Sequence, residues 1–374
     1  MSCFSKLLCL KCRFILAFLL IFQLANAQAS FESLTAWMQK NIEPLGGRAV
    51  LLVYKNGEMV YSESVNQLNK RQEIAAKISA VRQGIAAETA LQDFTPTTRL
   101  RIASSSKWLT AALAMTFVDE GKLRLQDTIG KYLPIMSKYG KGQIRVWHCL
   151  SHLTGIKQGG LRETLDDLKS IESMSESIEQ IARLPMEGEP GLSFYYGNAG
   201  MQIIAAIIEK IGGANFETLF TQRIAEPLEM KATDFGKTAV PLAAGGAWST
   251  PEDYIKLLSM LLNEGMYKEK RILSKAAINE MMKNRIRKDC LIAYRPEELG
   301  VWEYGFGAWV MDGVVADKRS LQLASPGLFG SFPWIDAGNN YCAFLLTMNM
   351  RTKGRKELYE ELVQLTTEAV KQLR

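Results

Sequence analysis

Ser104, Ser105, Ser106 and Lys107 stand together in the stretch RIASSSKWLTAALAMTFVDEGK, where an apolar strand gives way to an amphipathic helix pattern. Residues three apart share one helix face, so Lys107 can reach back toward the Ser104 oxygen. A serine at a helix start also has free backbone N–H groups beside it, and these can stabilise an oxyanion. Serine is a poor nucleophile until a base takes its proton, and a neighbouring amine can help to take it. The tetrad is therefore a candidate active site. Ser-x-x-Lys alone does not separate this reading from an N-capping serine followed by a solvated lysine.

The second chemical element is Tyr196-Gly197-Asn198, within PGLSFYYGNAGMQIIAAIIEKI. A lysine ammonium near a phenol favours the phenolate, which can act as general base and then return the proton to a leaving group. The Asn198 amide both donates and accepts, which suits holding a substrate amide or the lysine. Tyr54-Lys55-Asn56 repeats the pattern, but in a hairpin turn where the asparagine has a structural explanation. The later copy instead opens a helix after a Pro-Gly turn. Glu189 and Tyr195 adjoin it in sequence and are candidates to shape its pocket.

Only two histidines are present, His148 and His152. A Ser-His-Asp triad would have to use one of them, and the chain has no Gly-x-Ser-x-Gly elbow. Their spacing allows one helix face, yet no glutamate follows His148 in the zinc-hydrolase pattern and no third ligand suggests itself. No metal site is predicted; both histidines read as packed, hydrogen-bonded residues.

The elements that must position these groups lie on both sides of them. Phe31 to Ile42 reads as an amphipathic helix. Ala49–Tyr54, Asn56-Gly57 and Met59–Ser62 read as a hairpin, because Asn-Gly suits the turn that matches strand twist. The segment from Gln67 to Leu91 reads as an extra helix or excursion. Helical patterns then run from Ser105 to about Arg223, and again over Pro251–Asn263, Lys275–Met282 and Arg355–Leu373. Three late strands are predicted near Gly305–Met311, Leu328–Ile335 and Tyr341–Met348. Two early strands and three late ones predict one antiparallel sheet closed by distant parts of the chain, with helices inserted between.

Lys6, Lys11 and Arg13 precede the apolar run Phe14–Leu24, and Ala25-Asn26-Ala27 follows it. That order predicts a signal peptide over residues 1–27 and export to a periplasm or the outside, with membrane contact only through this segment before cleavage. The formal charge is +6, or +3 once Lys6, Lys11 and Arg13 are removed (6 − 3). Such a mild excess without a long basic run gives no reason to invoke nucleic acid. Of six cysteines, Cys3, Cys9 and Cys12 fall in the signal segment. Cys149, Cys290 and Cys342 remain, too few for a disulfide framework and odd in number.

Taken together, these residues resemble the penicillin-recognising serine hydrolases, in the branch containing class C β-lactamases, D-Ala-D-Ala carboxypeptidases and related esterases. The resemblance runs from about Ala49 to Met350. Besides the two catalytic motifs it rests on IRVWHCLSHLTGI, EPGLSFYYGNAGMQIIAAIIEKIGG, RIAEPLEMKATDFG, GGAWSTPEDYIKLL and YGFGAWV, in that order. It implies an α/β (α+β) β-lactamase-like fold: an antiparallel sheet of about five strands flanked by helices, with an inserted all-helical domain. A sheet subdomain would take residues 28–135 and 235–374, and a helical one 136–234. It also implies a covalent acyl-serine mechanism on a small-molecule or peptide substrate, without metal or organic cofactor. Ser104 would attack a carbonyl, Lys107 and Tyr196 would manage the proton, and Asn198 would orient lysine and substrate. His152 matches a structural position of the family.

One departure matters. The family usually carries Lys-Thr/Ser-Gly or His-x-Gly on a late strand facing the nucleophile, and this chain has neither. In LASPGLFGSFPWID the nearest equivalent is Ser325-Pro326-Gly327, which makes Ser325 and Gly327 candidate substrate contacts. By the same match the Leu328 N–H would join that of Ser104 in an oxyanion hole, where one donor is worth roughly 2.7–4 kcal/mol. The cation that would help fix a substrate carboxylate is lost. A hydrogen bond to a charged group is worth about 1.5–3 kcal/mol, so handling of penicillins or peptide C-termini should weaken roughly ten- to hundredfold. An esterase or specialised peptidase is thus expected ahead of an efficient β-lactamase. The alternative is a non-catalytic relative that binds a cell-wall or peptide ligand in the same cleft.

Overall fold

The computed structural model describes residues 31–82, 86, 89–158 and 171–373. The expected signal segment, 1–27, lies outside the described residues, as do 83–85 and 87–88 of the 67–91 excursion. Of that excursion, Lys70–Arg82 is an α-helix and Thr89–Leu91 a single 3-10 turn.

Asn56 and Gly57 join the strands Arg48–Lys55 and Glu58–Asn66, with φ of 52° and 88° at the two turn residues. Positive φ at both positions gives the turn whose twist continues that of the flanking strands. On its other side Arg48–Lys55 pairs antiparallel with Tyr341–Thr347, Leu51 opposite Leu345. The two ends of the chain thereby close one sheet. Phe332–Asp336, Gln322–Ala324, Trp309–Val310 and Glu303–Tyr304 follow outward in order, making seven antiparallel strands.

Two of the three late strands differ from the sequence expectation. Gly305–Met311 is mostly a reversal between the two-residue strands Glu303–Tyr304 and Trp309–Val310, turning at Gly307 with φ of 74°. The expected Leu328–Ile335 strand begins only at Phe332, and Gln322–Ala324 was not anticipated. Between them, residues 325–331 loop back on themselves, with Gly327 N–H donating to Ser331 O at 2.7 Å. Pro326 has no N–H for a ladder, and Gly330 sits at φ of 100°, a conformation L side chains rarely adopt.

The central strands are apolar throughout because both faces of the sheet are covered. Ala49, Leu51, Val53, Ala343 and Leu345 share one core with Leu34, Trp37 and Met38 of the first helix (residues 31–40) and Tyr359 and Leu362 of the last helix, Arg355–Lys371. Val50, Leu52, Phe344 and Leu346 share the other with Tyr254, Leu257 and Leu258 of the helix Pro251–Leu262. Behind that helix layer runs Ser106–Asp119. The sequence predicts an amphipathic helix there, but every residue from Ser106 to Phe117 is buried. A helix apolar all round is one surrounded by protein, here by Ala199–Gly212, Phe216–Phe220 and Lys275–Met281. No described helix is long and apolar enough to cross a membrane.

Candidate active site

The turn that carries Ser104 is held by its neighbours. Ser105 Oγ donates to Ser325 O at 2.7 Å and lies 3.0 Å from Ser331 Oγ. Ser106 Oγ donates to Ala103 O at 2.6 Å and accepts from the Ala247 N–H at 3.0 Å. Tyr254 OH donates to Ser105 O at 2.7 Å. These bonds hold Ala103 at φ of 45°, an unfavourable left-handed conformation for a residue with a Cβ. Ser105 and Ser106 are fully buried, whereas Ser104 faces a cavity of about 260 Å³. Of three adjacent serines, one can meet a substrate.

Lys107 is 1% exposed, and its Nζ lies 3.2 Å from Ser104 Oγ, 3.4 Å from Asn198 Oδ1 and 2.8 Å from Ala244 O. No carboxylate pairs with it among the described residues. Desolvation without a counter-charge penalises the ammonium, and burial pushes the Lys107 pKa down to about 7. The solvated-lysine alternative is excluded by this burial.

Tyr196 lies across the same cavity. Its ring faces Lys107 Nζ at 4.9 Å, and its hydroxyl adjoins the Ser104 and Trp309 side chains. Sequence reasoning expected the lysine to ease deprotonation of the phenol. Instead burial raises the Tyr196 pKa far above its ordinary value, with the nearby Glu298 carboxylate adding to the rise. The site as folded holds a neutral phenol beside an amine that is half deprotonated near neutrality. That arrangement makes Lys107 the better base and Tyr196 a hydrogen-bond donor and proton relay.

Asn198 lies at the start of the helix Ala199–Gly212. Gln158, which sequence reasoning missed, fixes it there. Gln158 Oε1 accepts from the N–H groups of Asn198 and Ala199 at 2.6 and 2.7 Å, and its own carbonyl accepts from Tyr195 OH at 2.8 Å. The partners are some 40 residues apart in sequence, so no local pattern announces the contact. His152 packs under Tyr196 with ring centroids 4.7 Å apart and hydrogen-bonds Tyr304 OH at 3.2 Å. Burial holds it neutral, outside the cavity. His148 Nδ1 accepts from the Arg145 N–H at 3.1 Å, also as a packed residue.

The opposite wall is Pro326, Gly327 and Leu328. Ser325 does not line the cavity. It is buried, with its Oγ donating to Gly307 O at 2.9 Å and approaching Ser104 O at 3.4 Å. Its hydroxyl braces the nucleophile turn, with the Gly307 and Ser104 carbonyls as its partners. Neither the Ser104 nor the Leu328 N–H donates a hydrogen bond among the described residues, so both remain available to an oxyanion. The wall also holds a cation that the sequence did not reveal. Arg355 donates to Leu328 O at 3.0 Å and to Asn349 O and Arg351 O at 2.7 Å, bracing the loop with its fork engaged. Tyr195 lines the cavity and Glu189 does not.

Close packing of this wall leads to a prediction. A Cβ on Gly327 would sit 2.3 Å from both Ile102 O and Ser331 Oγ. Gly327→Ala should therefore push the wall away from Ser104 and cost about 1–3 kcal/mol of stability, read by urea unfolding, with a larger loss in kcat/KM. Unchanged stability and turnover would show the wall to be free to move.

The chain belongs to the beta-lactamase family, whose model matches residues 38–367. Among curated relatives it is similar to Protein Rv1367c of Mycobacterium tuberculosis (strain ATCC 25618 / H37Rv), at 26% identity over 63% of this chain and 72% of that one. Among solved structures it is similar to EstCE1, a hydrolase with promiscuous acyltransferase activity, with a TM-score of 0.71, 18% identity, and 92% and 99% of the two chains covered. It is also similar to the octameric penicillin-binding protein homologue from Pyrococcus abyssi, with a TM-score of 0.68, 21% identity, and 90% and 77% covered. At these identities the solved structures show a shared fold.

Proposed function

We propose that this protein is an exported serine hydrolase that forms an acyl-serine intermediate at Ser104 on ester, amide or peptide substrates, with neutral esters and D-amino-acid peptides ahead of penicillins. The observation that carries this reading is the meeting of Ser104 Oγ with a buried amine of pKa about 7, 3.2 Å away, in a cavity that offers free backbone N–H groups.

Neutral Lys107 accepts the Ser104 proton as Oγ attacks the carbonyl carbon. Negative charge develops on the carbonyl oxygen, where the Ser104 and Leu328 N–H groups stabilise it. As the tetrahedral intermediate collapses, the proton passes from Lys107, directly or through Tyr196 OH, to the leaving oxygen or nitrogen. Water then attacks the acyl-serine, Lys107 takes its proton, and Oγ leaves as the hydroxyl. Asn198 Oδ1 and Ala244 O hold the amine in line throughout. Ser325 turns inward and Arg355 is engaged by three carbonyls, so among the described residues no free cationic fork awaits a substrate carboxylate. This disfavours acyl donors that carry a carboxylate.

Intact-protein mass after exposure to 4-nitrophenyl butanoate and, separately, benzylpenicillin tests the reading. Rapid ester turnover is expected, with a weak or slowly formed penicillin adduct, both lost in Ser104→Ala. If folded protein is never acylated by activated esters, fluorophosphonates or β-lactams, the hydrolase reading fails and a ligand-binding role takes its place.

A further inference from the structure

The Ser104 cavity contains a carboxylate that the acyl-transfer steps leave unused. Glu298 lies in the one-turn helix Glu297–Leu299 and lines the cavity with Tyr195, Tyr196 and Tyr294. Its position is tied to the tyrosine motif through Leu291–Tyr294, which pairs parallel with Ser193–Tyr195. Tyr196 N–H also donates to Tyr294 O at 3.0 Å.

Among the described residues, no lysine or arginine pairs with Glu298 and no donor hydrogen-bonds it. The two nearby guanidinium groups are engaged elsewhere, Arg355 with three backbone carbonyls and Arg295 with Trp302 O at 3.1 Å. Burial raises the pKa of Tyr196, Tyr294 and Tyr359, and the nearby Glu298 charge adds to the rise in each. A half-buried carboxylate without a partner favours a cation brought to it. The neighbouring rings of Tyr195 and Tyr294, with centroids 5.3 Å apart, add faces that attract the same charge.

We propose that Glu298 is a specificity residue for substrates that carry an ammonium group, so that the site prefers cationic esters and amides over neutral ones of the same shape. This rests on the acyl-serine reading above and names the substrate class it leaves open. An aminoacyl ester or amide fits the chemistry: its carbonyl meets Ser104 while its amine reaches the Glu298 and tyrosine wall.

The test compares matched pairs. On the acyl side, 4-nitrophenyl 3-aminopropanoate is set against 4-nitrophenyl butanoate, which replaces the ammonium by a methyl. On the leaving side, butanoylcholine is set against 3,3-dimethylbutyl butanoate. Rates are corrected for spontaneous hydrolysis, and the readout is the cationic-to-neutral ratio of kcat/KM, an internal control for folding and active fraction. In the wild-type protein this ratio should be roughly ten to a hundred in one pair, and the pair shows which side of the scissile bond faces Glu298. Glu298→Gln should bring it to about one, and Glu298→Lys should reverse it in favour of 4-nitrophenyl hydrogen succinate. A wild-type ratio near one in both pairs overturns the proposal without need of a variant, and so does a preference that survives Glu298→Gln. Absence of any acylation by the neutral esters would instead sink the hydrolase reading itself.

Discussion

Ser104→Ala should abolish acyl-enzyme formation and lower kcat/KM for activated esters by roughly 10⁴- to 10⁶-fold, while leaving the fold intact. Among the described residues the Ser104 hydroxyl meets only the Lys107 amine and the Tyr196 phenol, so its removal breaks none of the described bonds that hold the turn. The neighbouring serines should behave in the opposite way. Ser105→Ala removes bonds to Ser325 O and Ser331 Oγ, and Ser106→Ala strands the Ala247 N–H. Each should cost about 1–3 kcal/mol of stability while an acyl adduct still forms. Mass spectrometry of the three variants beside their urea unfolding curves separates nucleophile from support. An adduct that persists in Ser104→Ala and vanishes in Ser105→Ala would move the nucleophile by one residue.

Lys107 combines a large catalytic effect with an opposite effect on stability. Its neutral form is the base, and its pKa lies at about 7 in the fold. Below that pH kcat/KM should fall about tenfold per unit, and above it level off. A flat profile between pH 5.5 and 8 would exclude Lys107 as the titrating base. Lys107→Met should lose roughly 10³-fold or more in kcat, since no other amine adjoins Ser104 among the described residues. The folded pKa is depressed below the ordinary lysine value of 10.5, so the unfolded chain binds more protons between about pH 7 and 10.5. Stability should therefore rise with pH through that window, and the penalty of the buried charge is present in full below pH 7. The whole shift corresponds to something on the order of 5 kcal/mol, part of it offset by the three acceptors around Nζ. Lys107→Met should thus be inactive yet more stable than the wild type at pH 6, by about 1–3 kcal/mol, with the gain shrinking at pH 9. Denaturant midpoints at the two pH values measure this. A variant less stable than wild type at pH 6 would mean that the hydrogen bonds outweigh the desolvation.

Much of the frame was legible in the chain itself. Asn56-Gly57 specifies its hairpin because only a few residue types accept positive φ twice in succession. Pro251 and Lys275 open helices after Thr250 and Ser274, whose side chains accept from the N–H groups of Asp253 and Ala277. Such signals are local, acting over three or four residues, and they survive without knowledge of the fold. The pairing of Ser104 with Lys107 belongs here too, since one helical turn brings them together.

Tertiary structure decided the rest. The helix after Ser104 was expected to be amphipathic and is buried all round, because burial depends on how many layers surround an element. The strand expected near Leu328 starts later because Pro326 has no N–H for a ladder and because Gly327 and Gly330 close against Ile102 and Thr347, contacts far away in sequence that no local pattern announces. Gln158, Glu298 and Arg355 reach the cavity from segments whose own sequence reads as loop or helix start. Above all, residue types at a given spacing cannot state a dielectric environment. The sequence supplied an amine and a phenol; only their burial together lowers the one pKa and raises the other, and so decides which of them can take the proton from Ser104.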